Sequence, residues 1–208
     1  MVEEKIYAYR LTSDTGFAPC IFDRDRKSTE LLTLACCMEK LRHTIGKHYA
    51  SEVDAGQARI YVMGTYNDRL LYFAKITKIV SMKDYFAENS PYKNRLDNIY
   101  DVLSDGSLTR NANPIKVHCE TEELESDSSG KFVLISDCFA YWGVESKEIP
   151  QNLQKILPRG IGHLPYSSDS PEGKQIKDWV SGLWNFKDII QNEPNDELPG
   201  IAGCCCAN

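Results

Sequence analysis

At 208 residues the chain has the mass of one domain with a sizeable buried core, and its 42% hydrophobic and 26% charged content is that of an ordinary globular protein. No apolar run approaches the roughly 20 residues that span a bilayer, and Met1-Val2-Glu3-Glu4-Lys5 lacks the basic and apolar regions of a secretory signal, so a cytoplasmic protein without membrane contact is expected. A net charge of −6 with dispersed Lys and Arg argues against a protein that lives by wrapping unmodified duplex DNA, because that affinity comes from neutralising several phosphates.

The first predicted element is a strand over Lys5-Ile6-Tyr7-Ala8-Tyr9-Arg10-Leu11, with period-2 alternation. It breaks at Asp14-Thr15-Gly16 and is fixed by Pro19 after Phe17-Ala18, turn chemistry that leaves backbone N–H groups free to face a ligand. A charged loop follows at Asp23–Ser28. Leu31 to Cys37 reads as strand or helix, and Met38 to Ile45 as a short helix closed by Gly46. Arg59–Gly64 and Arg69–Ile79 form a β-hairpin over Tyr66-Asn67-Asp68. Ser81 caps a helix over Met82–Glu88. Residues 89–115 read as a long loop, a length that in a compact domain is functional or disordered. Glu120–Asp127 is a strongly acidic run. Lys131–Ser136 is a central strand, with a short strand at Phe139–Trp142. The last third reads as helical, at Leu153–Leu157 and Pro171–Trp184, with Ser170 as N-cap and Pro171 in the first turn. Trp179 and Trp184 are core residues of that last helix. No repeat or linker divides the chain, so residues 1–208 are one domain. The fold class is α+β: a curved, mostly antiparallel sheet or partly closed β-barrel with flanking helices.

Eight cysteines are expected to be reduced thiols. Neither Cys36-Cys37 nor Cys204-Cys205-Cys206 has zinc spacing, so no metal is expected, and Cys205 lacks the aliphatic pair of a prenylation box. One of Cys36 and Cys37 belongs to the core. Either is a candidate nucleophile with His43 or His118 as base, provided the pair is in reach. Asp14 is a candidate general base if buried near Tyr85. Lys40, Arg42, His43, Lys47 and His48 form a local basic patch, and Gly160 and Gly162 beside His163 would let backbone approach a phosphate. G-x-G-x-x-G and Walker sequences are absent, which removes dinucleotide and P-loop readings.

Taken in order, the Tyr9–Pro19 loop, Leu31–Cys37 with Arg42, Asp84-Tyr85-Phe86 with Asp97-Asn98-Ile99-Tyr100, Val133–Ser136 and Phe139–Gly143 resemble the nucleotide-modification-associated domain family, type 2, over roughly residues 5 to 200. That family occurs mainly in bacteria and phages, near genes for modified DNA bases. The chain departs from its usual pattern at His48–Ala58, where members tend to carry a compact Gly-Asp-Trp-Ile/Val segment. At the level of fold it also resembles the PUA, ASCH and EVE group, which reads RNA or modified bases.

The resemblance implies a link to nucleotides or modified bases, and with the aromatic and polar residues on three loop-like segments it leads to the expectation of one pocket for a nucleotide or modified base, without metal or cofactor, in nucleotide modification or defence. Such a pocket needs aromatic faces and a few polar groups for the base edge. Tyr9, Phe17, Tyr85, Tyr100, Tyr141 and Trp142 are candidates for the first. Asp14, Asp97, Asn98 and Ser136 are candidates for the second, with Arg10 or Arg42 holding a phosphate. The pocket is expected where Asp14-Thr15-Gly16-Phe17-Ala18-Pro19 meets Cys36-Cys37 and Asp97–Tyr100. An enzyme modifying or hydrolysing a nucleotide is the alternative, and a protein-interaction module a third. Homo-oligomerisation is left open.

Overall fold

The computed structural model describes residues 2–113, 115, 117–118 and 120–198. In chain order the elements are β1 (Glu3–Arg10), β2 (Cys20–Phe22), β3 (Ser28–Leu34), α1 (Glu39–Asp54), β4 (Ala58–Tyr66), β5 (Arg69–Ile76), β6 (Lys78–Ser81) and α2 (Met82–Phe86). They continue as β7 (Tyr100–Val102), β8 (Leu108–Arg110), α3 (Thr121–Ser129), β9 (Phe132–Ser136), β10 (Cys138–Tyr141), β11 (Lys147–Glu148), α4 (Gln151–Gln154), β12 (His163–Ser167), α5 (Pro171–Ser181) and β13 (Ile190–Gln191).

The larger sheet runs β12-β1-β4-β5-β10-β13, with β11 on β5, and the second runs β2-β3-β9-β6. The second is antiparallel throughout, whereas the first contains the parallel pairs β1–β4 and β10–β13. The α+β class is as expected, but no closed barrel forms among the described residues. The larger sheet is covered on both faces. Tyr7, Tyr9, Val62 and Leu71 pack toward α1 and the second sheet, while Ile6, Ala8, Met63 and Phe73 pack toward α4, α5 and Trp184. This explains why Ile6–Tyr9 is buried without interruption, although its side chains alternate in direction. A third apolar cluster joins β9, α2 and the segment Leu96–Tyr100 behind the second sheet.

Local signals placed several elements correctly. Asn67 and Asp68 take left-handed φ values of 49° and 59° and close the β4–β5 hairpin in two residues. Ser81 accepts from the Asp84 amide at 3.0 Å and Ser170 from the Gly173 amide at 3.0 Å, so both caps form. Four expectations change. Gly46 does not end its helix: α1 continues to Asp54, and the missing Cβ leaves room for the Phe132 ring. The strand expected over Arg69–Ile79 breaks at Thr77, and β6 crosses to the second sheet, beside β9. The stretch 89–115 is not all loop, since β7 and β8 pair within it, and the acidic run beyond it folds as α3, where the Glu120 amide donates to the Glu123 carboxylate at 3.0 Å in a capping box. The last third is not purely helical, because β12 pairs with β1. The Cys204–Cys206 tail lies outside the described residues.

Candidate functional site

The loop after β1 is held from behind. Asp14 is 1% exposed and its carboxylate accepts from the Tyr141 hydroxyl and, at 2.8 Å each, from the backbone and side-chain nitrogens of Asn195. The Asp14 amide donates to Asp196 at 2.7 Å, and the Tyr66 hydroxyl donates to the same oxygen at 2.8 Å. Gly16 sits at φ +68°, where a side chain would meet the Phe22 ring, so only glycine turns the chain here without strain. Ala18–Pro19 is cis. The loop thereby presents Phe17 opposite the end of β3.

At that end Cys36 points inward and Cys37 outward. Cys36 is fully buried, and burial, with the nearby Asp127 and Asp97 carboxylates, pushes its thiol well above the usual range, so it is a core residue. Cys37 and Met38 both take left-handed φ values, 59° and 48°, which turn the chain into the first turn of α1 and leave the Cys37 sulfur partly exposed. Its Sγ lies 3.3 Å from His118 Nε2, and His118 Nδ1 lies 2.8 Å from Asp127 Oδ2. His118 is itself left-handed at φ 54°. The rings of His118 and Phe17 are 5.8 Å apart.

Asp127 on α3 is the hub of this arrangement. Oδ2 also accepts from the Tyr100 hydroxyl at 2.8 Å, and Oδ1 accepts from the Cys37 amide at 2.7 Å. Arg42 is fully buried beneath it. Its guanidinium donates to the carbonyls of Cys37 (2.7 Å), Phe132 (2.7 Å) and Asp127 (2.8 Å), and lies 3.8 Å from Asp127 Oδ1. Burial alone would raise the Asp127 carboxyl, but His118, Arg42 and the Cys37 amide outweigh it and hold it below the usual carboxylate range. Burial likewise opposes a proton on His118. Asp127 and Cys37 together overcome that and push the imidazole up to about 10.

Cys37 and His118 face a cavity of about 570 Å³ whose lining includes Tyr9, Arg10, Thr15, Phe17 and Ala18 and, from later in the chain, Ile161, Gly162, Asp196 and Glu197. Six of the residues expected at the site therefore line it, and Gly16 and Pro19 shape the loop between them. The other expected residues stand elsewhere. Asp14 and Tyr141 brace the loop, so Asp14 is not beside Tyr85. Tyr85 and Asp97 are buried partners at 2.6 Å, and the second Asp97 oxygen accepts from Thr33 at 2.7 Å. Asn98 donates to the Tyr85 carbonyl at 2.9 Å, Ser136 donates to the Cys138 carbonyl at 2.9 Å, and Trp142 lies in the core behind the larger sheet. Arg42 is committed to backbone carbonyls and leaves the basic patch. His43 packs on Phe132 and His163 on Tyr7.

The three segments expected to converge do so. Phe17, Cys36, Ile99 and Tyr100 share one apolar cluster, and the Cys36 thiol points at the Asp97 carbonyl at 3.8 Å. Asp97–Tyr100 forms the support behind the cavity rather than its wall. The residue that sequence reasoning missed is Asp127. Its trace was Leu124 and Asp127 three apart on one face of a helix hidden inside an acidic run. Among the described residues no group of three or more His, Cys, Asp or Glu is arranged to hold a metal ion, and no helix is long and apolar enough to cross a membrane.

A family model described as nucleotide modification associated domain 2 matches residues 3–198 of the chain. No curated protein and no solved structure matches it.

Proposed function

The chain belongs to the nucleotide modification associated domain 2 family, and from that premise we propose that it binds a nucleotide or modified base in the cavity between the Tyr9–Ala18 loop and Cys37. The observation that carries this reading is the cavity itself: about 570 Å³, open at one side, and walled by an aromatic ring, hydroxyls and one arginine. Its volume falls within the roughly 300–1,000 Å³ typical of small-ligand sites. The Phe17 and His118 rings offer the flat surface. Thr12, Ser13 and Thr15 offer hydroxyls for a base edge or sugar, and Arg10, which shares its guanidinium with Asp68 at 3.4 Å, is placed for one phosphate. Asp196 and Glu197 in the lining disfavour a long polyphosphate, so a nucleoside, a monophosphate or a single base fits best.

The reading includes a cytoplasmic setting in bacterial or phage nucleotide modification or defence. By the fold-level analogy with the PUA, ASCH and EVE group it extends to a base presented on a polymer. The test is a thermal-shift panel of nucleotides and modified nucleosides, together with mass spectrometry of small molecules that co-purify. A ligand at a hundred times its Kd stabilises by about 2.7 kcal/mol, which raises the midpoint of a chain this size by about 5–10 °C. A panel without any shift, from protein that retains no small molecule, refutes the proposal.

A further inference from the structure

Cys37, His118 and Asp127 stand in series, and the series has a direction. Asp127 is 2% exposed, His118 is 16% exposed, and Cys37 opens onto the cavity. The imidazole has Nδ1 2.8 Å from the carboxylate, an ion-pair contact out of line for a hydrogen bond, and Nε2 3.3 Å from the sulfur, the order acid, base, nucleophile. The chain supplies a comparison in the neighbour: Cys36 is fully buried, its thiol turned to the Asp97 carbonyl at 3.8 Å and away from the cavity. Left-handed backbone at Cys37, Met38 and His118 is held in place by Arg42 and Asp127. Such local cost is characteristic of sites where geometry is needed for chemistry. Cys37 also precedes the first turn of a helix 16 residues long, whose dipole favours negative charge at this end.

We propose that Cys37, His118 and Asp127 form a thiol acyl-transfer site in which Cys37 is the nucleophile, His118 the general acid and base, and Asp127 the positioning residue for His118. The substrate class is an amide or ester carbonyl carried by a nucleotide or modified base. Only the nucleotide part of that assignment rests on the ligand proposed above.

A cysteine–histidine pair beside a carboxylate is the arrangement of acyl transfer, in which the histidine protonates the leaving atom bonded to the attacked carbon. In the first step the Cys37 thiolate forms a C–S bond to the carbonyl carbon. The C–N or C–O bond then breaks, and the proton on His118 Nε2 passes to the leaving nitrogen or oxygen. In the second step water attacks the thioester carbon and gives a proton back to His118 Nε2. The C–S bond breaks, its electron pair returns to sulfur, and a carboxylic acid leaves. The sum is hydrolysis of one amide or ester by one water. The ion pair with Asp127 holds a proton on His118 at neutral pH, with Nε2 3.3 Å from the sulfur.

The experiment follows two readouts on the full chain. Iodoacetamide labelling, resolved at Cys37 by peptide mass spectrometry from pH 5 to 9, reports thiolate. p-Nitrophenyl acetate, a simple ester, reports acyl transfer through a phenolate burst and an acetyl group on Cys37. The wild-type chain is expected to label at pH 6 nearly as fast as at pH 8. His118→Asn is expected to lose about tenfold or more of the pH 6 rate while still unfolding in one cooperative transition, at a lower midpoint, and to lower ester turnover by roughly 10²–10⁴. Asp127→Asn should move the pH profile toward that of a free thiol, a shift that a purely structural role would not cause. If Asp127→Asn does not fold, the wild-type and His118→Asn profiles decide. Labelling that follows a free thiol in wild type, or acetyl absent from Cys37, overturns the proposal. Acetylation of Cys37 in a chain that binds no nucleotide would support the triad and refute the ligand. Nucleotide binding by a chain whose Cys37 labels as a free thiol would do the reverse.

Discussion

Arg42 separates two kinds of explanation, because the sequence suggests a phosphate grip and the structure shows a buried brace. Replacing it by methionine keeps most of the volume, so the packing cost is small. The loss is polar. Three buried carbonyls, on Cys37, Phe132 and Asp127, lose their donor, and the Asp127 carboxylate loses a cation 3.8 Å away. Each stranded acceptor costs about 1–3 kcal/mol, and breaking a buried charge pair costs about 3–5 kcal/mol. These terms overlap, since the same few atoms relax together, so the expected destabilisation is about 3–5 kcal/mol and not their sum. For a chain of this size that lowers the melting midpoint by about 6–20 °C. Urea unfolding followed by circular dichroism measures it as a lower midpoint at unchanged slope. Arg42→Lys should recover only part, because one ammonium cannot reach three carbonyls that a planar fork spans. A loss below about 1 kcal/mol in Arg42→Met, with weakened ligand binding at unchanged stability, would refute the brace and restore the phosphate reading.

Three further outcomes are expected. His118 takes up its proton more readily in the folded chain, at about 10 against 6.5 unfolded, so its contribution is full below pH 6.5 and falls as pH rises toward 10; chemical denaturation across that range should show the decline in wild type, and an equal decline in His118→Asn would rule it out. Gly46→Ala gains about 1 kcal/mol of helix propensity but drives a methyl into the rigid base of the Phe132 side chain, where overpacking costs about 1–3 kcal/mol, so a net loss of up to about 2 kcal/mol is expected by thermal unfolding and a gain would show that α1 can shift away from β9. With a net charge of −6 and Arg42 withdrawn into the core, gel shifts with unmodified duplex at physiological salt should show no complex at low micromolar protein; tight, salt-sensitive binding would overturn this.

The sequence by itself determined the elements whose signal is local. The β1 run, the Asn67-Asp68 turn, the Ser81 and Ser170 caps and the apolar runs of β9 and β10 follow from side-chain periodicity and turn chemistry within a dozen residues. It also brought the Tyr9–Pro19 loop and the cysteine pair into view together, and residues of both line one cavity. What only the tertiary structure decided was pairing. Cys37 and His118 are 81 residues apart, and Cys37 and Asp127 are 90 apart, so their contact depends on how β3, α3 and β7 pack, which no local pattern encodes. The same holds for charge. Arg42 and Asp14 read as ligand-facing groups because charged residues are usually exposed, yet each is buried where backbone groups from distant segments converge on it. Which of two adjacent cysteines belongs to the core and which to the cavity was settled by the left-handed turn at Cys37 and Met38, and that turn is held by an arginine and an aspartate supplied from elsewhere in the fold.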